Sequence, residues 1–304
     1  MKERTNTIRI VGTLVENRLR EGIAKNGKSA GKSYISGQII VKCKISEKEE
    51  ELFPIRIYSF DTTQTGGANK LYASYKNLNT LINHRVLVTG YLSENRFYAA
   101  KTGTIAAEQR LNGRFISEAP IAETTDSATF TFSGYVAKTL TPKIRKGESV
   151  PYLQELICGQ ENTKATTASM FHFHVAPDRT DIINTVTTLY TLGKTVKFEG
   201  DIRYVAQKIE KKDDKVAFGT PTAHSFIVTN KYFYITTGDA PIEGDTAYTM
   251  DEMKKYKGAR TQDDIEIQAK AKAASANAEA EDADEADDSD KDEKPAPSQM
   301  QNLI

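Results

Sequence analysis

One stretch of the sequence places an arginine and two aromatic rings two residues apart: Arg56, Tyr58 and Phe60. In an extended strand such residues share one face, while the intervening Ile55 and Ile57 occupy the other. A guanidinium can bind a phosphate, and a ring can stack on any nucleobase, with a gain of ~1–3 kcal/mol per base. The pattern therefore indicates a face suited to single-stranded nucleic acid. The alternative is that both rings pack against a helix or a second domain.

Other basic and aromatic residues could extend this face. If Ile8 and Ile10 face a core, the residue between them faces outward, and a glycine-bearing loop after the first strand carries five bases against one acid, Glu21. Basic residues gain affinity by releasing counterions from phosphates. A lysine-rich loop that serves only solubility is the alternative. The candidate nucleic-acid-binding residues are Arg9, Arg18, Arg20, Lys25, Lys28, Lys32, Tyr34, Lys42, Arg56, Tyr58, Phe60, Arg96 and Tyr98.

Motifs for catalysis or metal binding are weak. The run Gly27–Ser33 resembles a phosphate loop, but three rather than four residues separate its glycines and a strand-like run follows it. His172 and His174 alternate on a strand without a third ligand, which is typical of ordinary strand histidines. We therefore expect no catalytic residues, no metal and no cofactor, and we predict that the chain is not an enzyme.

The distribution of charge is more informative than its total. The 304 residues carry 41 bases and 41 acids, yet residues 1–115 hold 19 bases and 10 acids. Residues 275–304 hold ten acids and two bases. A basic front half is expected where a chain meets a polyanion.

Composition also bears on the compartment. We find no apolar run of the eighteen or so residues that a membrane span needs and no secretory signal at the start. Cys43 and Cys158 are far apart and indicate neither a disulfide framework nor a zinc site. A cytoplasmic protein without membrane association is expected.

The C-terminal segment lacks aromatic residues after Tyr256. Alanine, acids and serine cannot bury enough apolar surface to offset ordering entropy, so we expect residues 261–304 to form a disordered acidic tail. The tail ends in apolar residues, Met300, Leu303 and Ile304, which a purely solubilising segment would not need. These three residues are predicted to bind a partner protein.

The body of the chain repeats one order of elements. Three strand-like runs, a helical run and two more strand-like runs occupy residues 1–116, with Arg96–Lys101 as the fifth strand, and the same order recurs over 126–256. Gly12 and Gly90 in the first copy match Gly134 and Gly200 in the second. This order is that of the OB-fold barrel. We therefore predict an all-β chain of two tandem OB-fold barrels, followed by the tail.

Two segments, Asn6–Leu14 and Arg85–Leu92, resemble the first and fourth strands of single-stranded DNA-binding proteins, most closely phage-encoded members. The acidic tail with its apolar tip is also similar to theirs. The resemblance implies a stacking aromatic on the third strand, where Phe53–Phe60 lies. The chain departs from the family in having no tryptophan, a second barrel and a tail that ends Asn-Leu-Ile.

The leading hypothesis is a non-enzymatic protein that coats single-stranded DNA in phage or bacterial replication, recombination and repair. Its tail would recruit replication or recombination proteins. Two alternatives stay open: an assembly component whose barrels bind other proteins, and a mediator that loads another protein on DNA. The second barrel, close to neutral, could continue the DNA path or support self-association as a homo-oligomer.

Overall fold

The computed structural model describes residues 2–145, 147–212 and 223–287; at residues 28, 207–212, 223–228 and 274–287 it describes the backbone alone. The first half contains β1 (Asn6–Asn17), β2 (Arg20–Ile23), β3 (Ser33–Lys44), β4 (Glu50–Phe60), α1 (Lys70–Lys76), β5 (Arg85–Ala99) and β6 (Thr104–Glu118). The second half contains β7 (Ser127–Lys143), β8 (Leu153–Glu161), β9 (Ala168–Val175), α2 (Thr180–Leu189), β10 (Thr195–Lys212), β11 (Ala223–Gly238) and α3 (Met250–Asp287).

The first half closes into a barrel. Strand β1 pairs antiparallel with β3 and β5, β3 pairs with β4, and β5 neighbours β6. A parallel pairing of β4 with β6, through Ile55 and Leu111, completes the circuit. With α1 between the third and fourth barrel strands, this is the OB-fold. Its interior is filled by alternate residues of every strand, among them Ile10, Phe53 and Val88, all fully buried.

The second half repeats this circuit as β7, β8, β9, β11 and β10, with α2 in the position of α1. The prediction of an all-β chain with two tandem OB barrels is confirmed. The fifth strand of the first barrel was placed wrongly, because Arg96–Lys101 is the end of β5 and the turn that follows it. The strand at that position is β6, whose run of polar and apolar residues lacks clean alternation.

The matched glycines are explained by close approach of neighbouring strands. A β-carbon on Gly12 would overlap the carbonyl oxygen of Lys42, and one on Gly134 would overlap that of Gly159. Gly90 and Gly200 likewise face carbonyl oxygens on the fifth strands of their barrels. Each pair thus marks one structural position in both barrels, where only the absence of a side chain permits closure.

The two barrels are joined by antiparallel pairing of β1 with β7. Ile8 lies opposite Phe130, and because Gly12 and Gly134 correspond, so do Ile8 and Phe130. The pairing is therefore symmetric about this pair, and a local pseudo-twofold axis relates the first strands of the two barrels. The central sheet runs from one barrel into the other without a break.

Helix α3 begins with a capping box, in which the Thr249 backbone N–H donates to the Glu252 carboxylate and the Glu252 N–H donates to the Thr249 hydroxyl. Buried Tyr256 donates a hydrogen bond to Glu161 on β8. The helix continues to Asp287, through the first part of the segment that we expected to be tail. Among the described residues, we find no helix long and apolar enough to cross a membrane.

The described chain forms two compact units. Both barrels, with the first turns of α3, lie in one unit, which comprises residues 1–95 and 108–259. The tip of the β5–β6 hairpin, residues 96–107, belongs to the other unit together with α3 from Arg260 onward.

The second barrel is closed at a buried histidine. Strand β9 pairs parallel with β11 through His174 and Tyr234, and the His174 Nδ1 accepts a 3.1 Å hydrogen bond from the Phe233 N–H. Burial lowers the pKa of His174 to about 4. The ring is therefore neutral in the folded state near neutral pH.

This burial predicts a pH-dependent stability. Unfolded His174 binds a proton near pH 6.5, whereas the folded ring resists protonation to about pH 4, so the free energy of unfolding should fall as the pH decreases between these values. The loss is about 2 kcal/mol at pH 5. His174→Gln, which keeps an acceptor but cannot titrate, should flatten this part of the curve in urea denaturation. A slope in His174→Gln equal to that of the wild type would contradict the assignment.

Candidate nucleic-acid interface

Three aromatic rings meet on the outer face of β3 and β4. Tyr34 lies opposite Phe60 in the strand register. The ring centroids of Tyr34 and Tyr58 are 5.9 Å apart with an interplanar angle of 29°, and Phe60 meets Tyr58 edge-on at 5.2 Å. We call Tyr34, Tyr58 and Phe60 the aromatic cluster. Their position follows from strand alternation, since the neighbouring Ile55 and Ile57 point into the core.

Tyr58 is the most accessible member of the aromatic cluster, with 59% of its surface exposed. Its ring stacks on Tyr34 and meets Phe60 edge-on within the cluster. Partial burial, and secondarily the neighbouring Tyr34, raise the pKa of Tyr58 above its ordinary value. The ring therefore stays neutral at physiological pH and can stack on a base without placing a negative charge beside phosphate.

Basic residues flank the aromatic cluster on the same face. Arg56 lies two residues from Tyr58, is exposed, and has no ion-pair partner in the described part of the chain. On the other side, Arg20 lies opposite Ser36, which in turn lies opposite Tyr58. Residues opposite one another in a sheet share a face, so Arg20 is two strands, or about 10 Å, from Tyr58.

The loop between β1 and β3 lies beside the rings because its short strand β2 pairs with β3. Gly22 lies directly beneath the Tyr34 ring, where a β-carbon would come within 2.8 Å of the ring atom Cζ. Lys25 is exposed and Lys32 is half-buried, whereas the side chain of Lys28 lies outside the described residues. Arg18 is paired with Glu16 through two hydrogen bonds of 2.5 and 2.6 Å. The loop thus brings Arg20 to the face of the cluster, and neither Arg20 nor Lys25 has an ion-pair partner within the part of the chain that the structure describes.

Other predicted site residues lie away from the aromatic cluster. Lys42 is on the face of Tyr34 but about 26 Å further along β3, where it pairs with Glu50 at 3.2 Å. Arg9 faces outward as expected, but its guanidinium pairs with Glu123 on the outer face of the central sheet. Met300, Leu303 and Ile304 lie outside the described residues.

Arg96 and Tyr98 are at the end of β5, in the second compact unit, instead of on a fifth barrel strand. The Arg96 guanidinium donates to Asp264 at 2.6 Å and to Asp263 at 2.9 Å, and only 13% of its side chain is exposed. The strand assignment was wrong because β5 continues to Ala99, seven residues beyond the Leu92 end that the sequence pattern indicated, so the β5–β6 turn comes later in the chain. In this arrangement Arg96 anchors α3.

Sequence reasoning missed Tyr232 and Tyr234, two rings on the other barrel. Tyr232 and Tyr234 stack with centroids 5.5 Å apart, and Arg145 lies 4.8 Å from the ring centroid of Tyr152. The spacing of two between Tyr232 and Tyr234, the same as in Tyr58 and Phe60, was the available signal. Phe171 and Phe173, on the third strand of this barrel, are buried in the core.

No group of His, Cys, Asp or Glu side chains that could hold a metal is found in the described ranges. The His172 ring is hydrogen-bonded to Glu155 at 3.1 Å, and His174 serves the barrel closure described above. Burial raises the pKa of Cys43 to about 12, so this thiol is protonated and unreactive at neutral pH.

Together these features describe a tandem OB-fold protein with an exposed aromatic and basic face on its first barrel. The family model named YorF matches residues 4–271, so the chain belongs to the YorF family. No curated protein matches the sequence significantly.

Two solved structures of single-stranded DNA-binding protein from Thermus aquaticus are similar in fold. The wild-type structure is 10% identical, covers 82% of this chain and 98% of its own, and gives a TM-score of 0.48. A deletion mutant of that protein is 11% identical, covers 79% of this chain and 96% of its own, and also gives a TM-score of 0.48. The assignment of two OB barrels to this chain comes from the pairing of its own strands, described above.

The contact between Arg96 and α3 can be tested directly. Arg96→Gln leaves Asp263 and Asp264 close together without a cation, so amide hydrogen exchange in residues 260–270 should become faster while the barrels keep their protection. The matched control is Lys270→Gln, whose pairing with Glu266 at 3.8 Å is exposed and contributes little. Equal exchange in both variants would show that Arg96 does not anchor the helix.

Proposed function

We propose that this protein binds single-stranded DNA without sequence preference, using the aromatic cluster and the basic residues around it. The observation that carries the proposal is the exposed ring of Tyr58 beside Tyr34 and Phe60, with Arg56, which has no ion-pair partner in the described ranges, on the same strand. A face built for protein contact alone would have no need of uncompensated guanidinium groups around its rings.

The chemistry matches a strand that presents phosphates and base faces in succession. Stacking contributes ~1–3 kcal/mol per base and tolerates every base, because each has a π-face. Arg20 and Arg56 lie on either side of the cluster and can bind the phosphates that flank a stacked base. Duplex DNA, whose bases are already stacked on each other, cannot use the rings.

The first test is fluorescence anisotropy of a labelled mixed-sequence oligonucleotide at two salt concentrations. Arg56→Ala/Tyr58→Ala/Phe60→Ala should weaken binding by a hundredfold or more, at about 1.4 kcal/mol per factor of ten. The matched control is Leu52→Ala, which removes a 53% exposed side chain from the same face of β4, about 20 Å from Tyr58. Wild-type affinity should fall by about 0.7 log units per neutralised phosphate for each tenfold rise in salt.

The outcomes of this test separate the hypotheses. Absence of binding by the wild type would contradict the proposal and favour the assembly protein. Full binding by the triple variant would keep the function but move the site to another surface.

A second test uses the absence of tryptophan from the chain. Tyr58→Trp introduces a single indole at the exposed position, and stacking on a base should quench its fluorescence at one equivalent of single strand. The same position should respond weakly to duplex DNA of equal length. If emission is unchanged while anisotropy shows a complex, Tyr58 is not a stacking residue.

We further propose that the acidic segment and its apolar end recruit replication or recombination proteins, as part of phage or bacterial DNA metabolism without enzymatic activity. Support comes from the sequence: ten acids in residues 275–304 and apolar residues at the terminus. An acidic segment competes with DNA for a basic face at low salt.

Deletion of residues 275–304 should therefore raise DNA affinity at low salt, because the competing charge is removed. Deletion of residues 300–304 alone, which takes away Met300, Leu303 and Ile304 but none of the acids, should leave DNA affinity unchanged and abolish partner capture. Affinity that is the same with and without residues 275–304 would contradict the electrostatic part of the proposal.

A further inference from the structure

A second basic and aromatic surface lies on the outer face of the central sheet, away from β3 and β4. It is a groove of about 740 Å³ lined by β1, β5, β6 and β7. Arg4, Arg9 and Arg114 line it together with Tyr91 and Phe115. The remaining lining residues are apolar or uncharged polar, and none of them is acidic.

The side chains of this groove are accessible. Tyr91 is 46% exposed and Phe115 is 56% exposed, and the Arg114 guanidinium lies over the Phe115 ring, 5.4 Å from its centroid. Arg114 has no carboxylate partner among the described residues, whereas Arg9 pairs with Glu123 and Arg4 with Glu161. The positive charge is therefore concentrated beside the two rings.

The fold itself does not require these side chains. Because Gly90 approaches the carbonyl of Asn112 and Gly200 approaches that of Tyr234, these positions correspond in the two barrels. The counterpart of Tyr91 is then Asp201. The counterparts of Arg114 and Phe115 are Thr236 and Thr237. Since the second barrel closes with an acid and two threonines there, the arginine and rings of the first barrel serve something other than closure.

The groove is connected to the aromatic cluster through α1. Glu21, beside the glycine under Tyr34, accepts a hydrogen bond from Tyr72 at 2.8 Å and pairs with Lys76 at 3.1 Å. Tyr75, a buried residue of the same helix, donates a hydrogen bond from its hydroxyl to the Arg114 carbonyl oxygen at 2.6 Å. Helix α1, with exposed Lys76 on its surface, thus bridges the two surfaces.

We propose that this groove binds a second stretch of the same nucleic-acid strand after it has crossed α1. The inference rests on the proposed function. Charge complementarity favours a strand, since Arg114 has no carboxylate partner among the described residues and the lining itself contains no acid, and two accessible rings suit an occupant that offers bases between its charges. The strand would therefore wrap around the first barrel from the aromatic cluster to the central sheet.

The proposal predicts a dependence on oligonucleotide length. The groove variant is Tyr91→Ala/Arg114→Ala/Phe115→Ala, and its matched control is Thr236→Ala/Thr237→Ala at the corresponding positions of the second barrel. A short oligonucleotide of about 8 nucleotides fits on one OB barrel, whereas one of about 30 nucleotides extends past it. Both are titrated against wild type and variants, in the Tyr58→Trp background, with circular dichroism to confirm folding.

The groove variant should bind the short oligonucleotide like the wild type and the long one about tenfold more weakly, with fewer nucleotides covered per chain. The control should match the wild type at both lengths. As a second readout, a photoreactive phenylalanine analogue at position 91 should crosslink to the long oligonucleotide and not to the short one.

Unchanged long-oligonucleotide affinity and coverage would overturn the inference. So would sedimentation showing that the wild type is a dimer and the groove variant a monomer, because the groove would then be an interface between copies of the chain. Both results are distinct from failure of the proposed function, in which the wild type binds no oligonucleotide and Tyr58→Trp shows no quenching.

Discussion

The pairing of β1 with β7 is the interaction on which the rest of the molecule depends. In its first half β1 hydrogen-bonds to β5 on one edge and β7 on the other, and in its second half it exchanges β7 for β3. Strand β1 is thus a strand of the first barrel and also pairs with the first strand of the second barrel. Because backbone hydrogen bonds must be made wherever strands are buried, this shared strand fixes the register of both barrels at once.

A buried carboxylate that links the two barrels reinforces this arrangement. Glu51 at the start of β4 is 6% exposed; it accepts from the Arg203 guanidinium at 2.6 Å and from the Tyr204 backbone N–H at 2.7 Å. A carboxylate in such a position is tolerated only because both oxygens have partners. Since those partners lie on β10, the third strand of one barrel is tied to the fourth strand of the other.

Within the first barrel, the alternation of side chains along each strand places one set of residues in the core and the other set on the outer face. Phe53, Ile55 and Ile57 fill the interior, and the residues between them form the outer face with its rings and guanidinium. The charge on these outer faces is unevenly compensated. Glu161 and Glu123 pair with Arg4 and Arg9, whereas Arg56 and Arg114, which lie beside exposed rings, have no carboxylate partner among the residues that the structure describes.

The sequence by itself determined the repeated element order, the inward and outward assignment of β1 and β4, and the positions of the close-approach glycines, because these depend on periods of two and on steric limits within a few residues. It did not determine the extent of β5 and β6 or the role of Arg96, since a long hairpin and a charge pair with a distant helix depend on contacts remote in sequence. Nor did it bring Arg114, Phe115 and Tyr91 together. Only barrel closure and the β1–β7 pairing, set by hydrogen bonds between distant segments, decided which side chains share a groove.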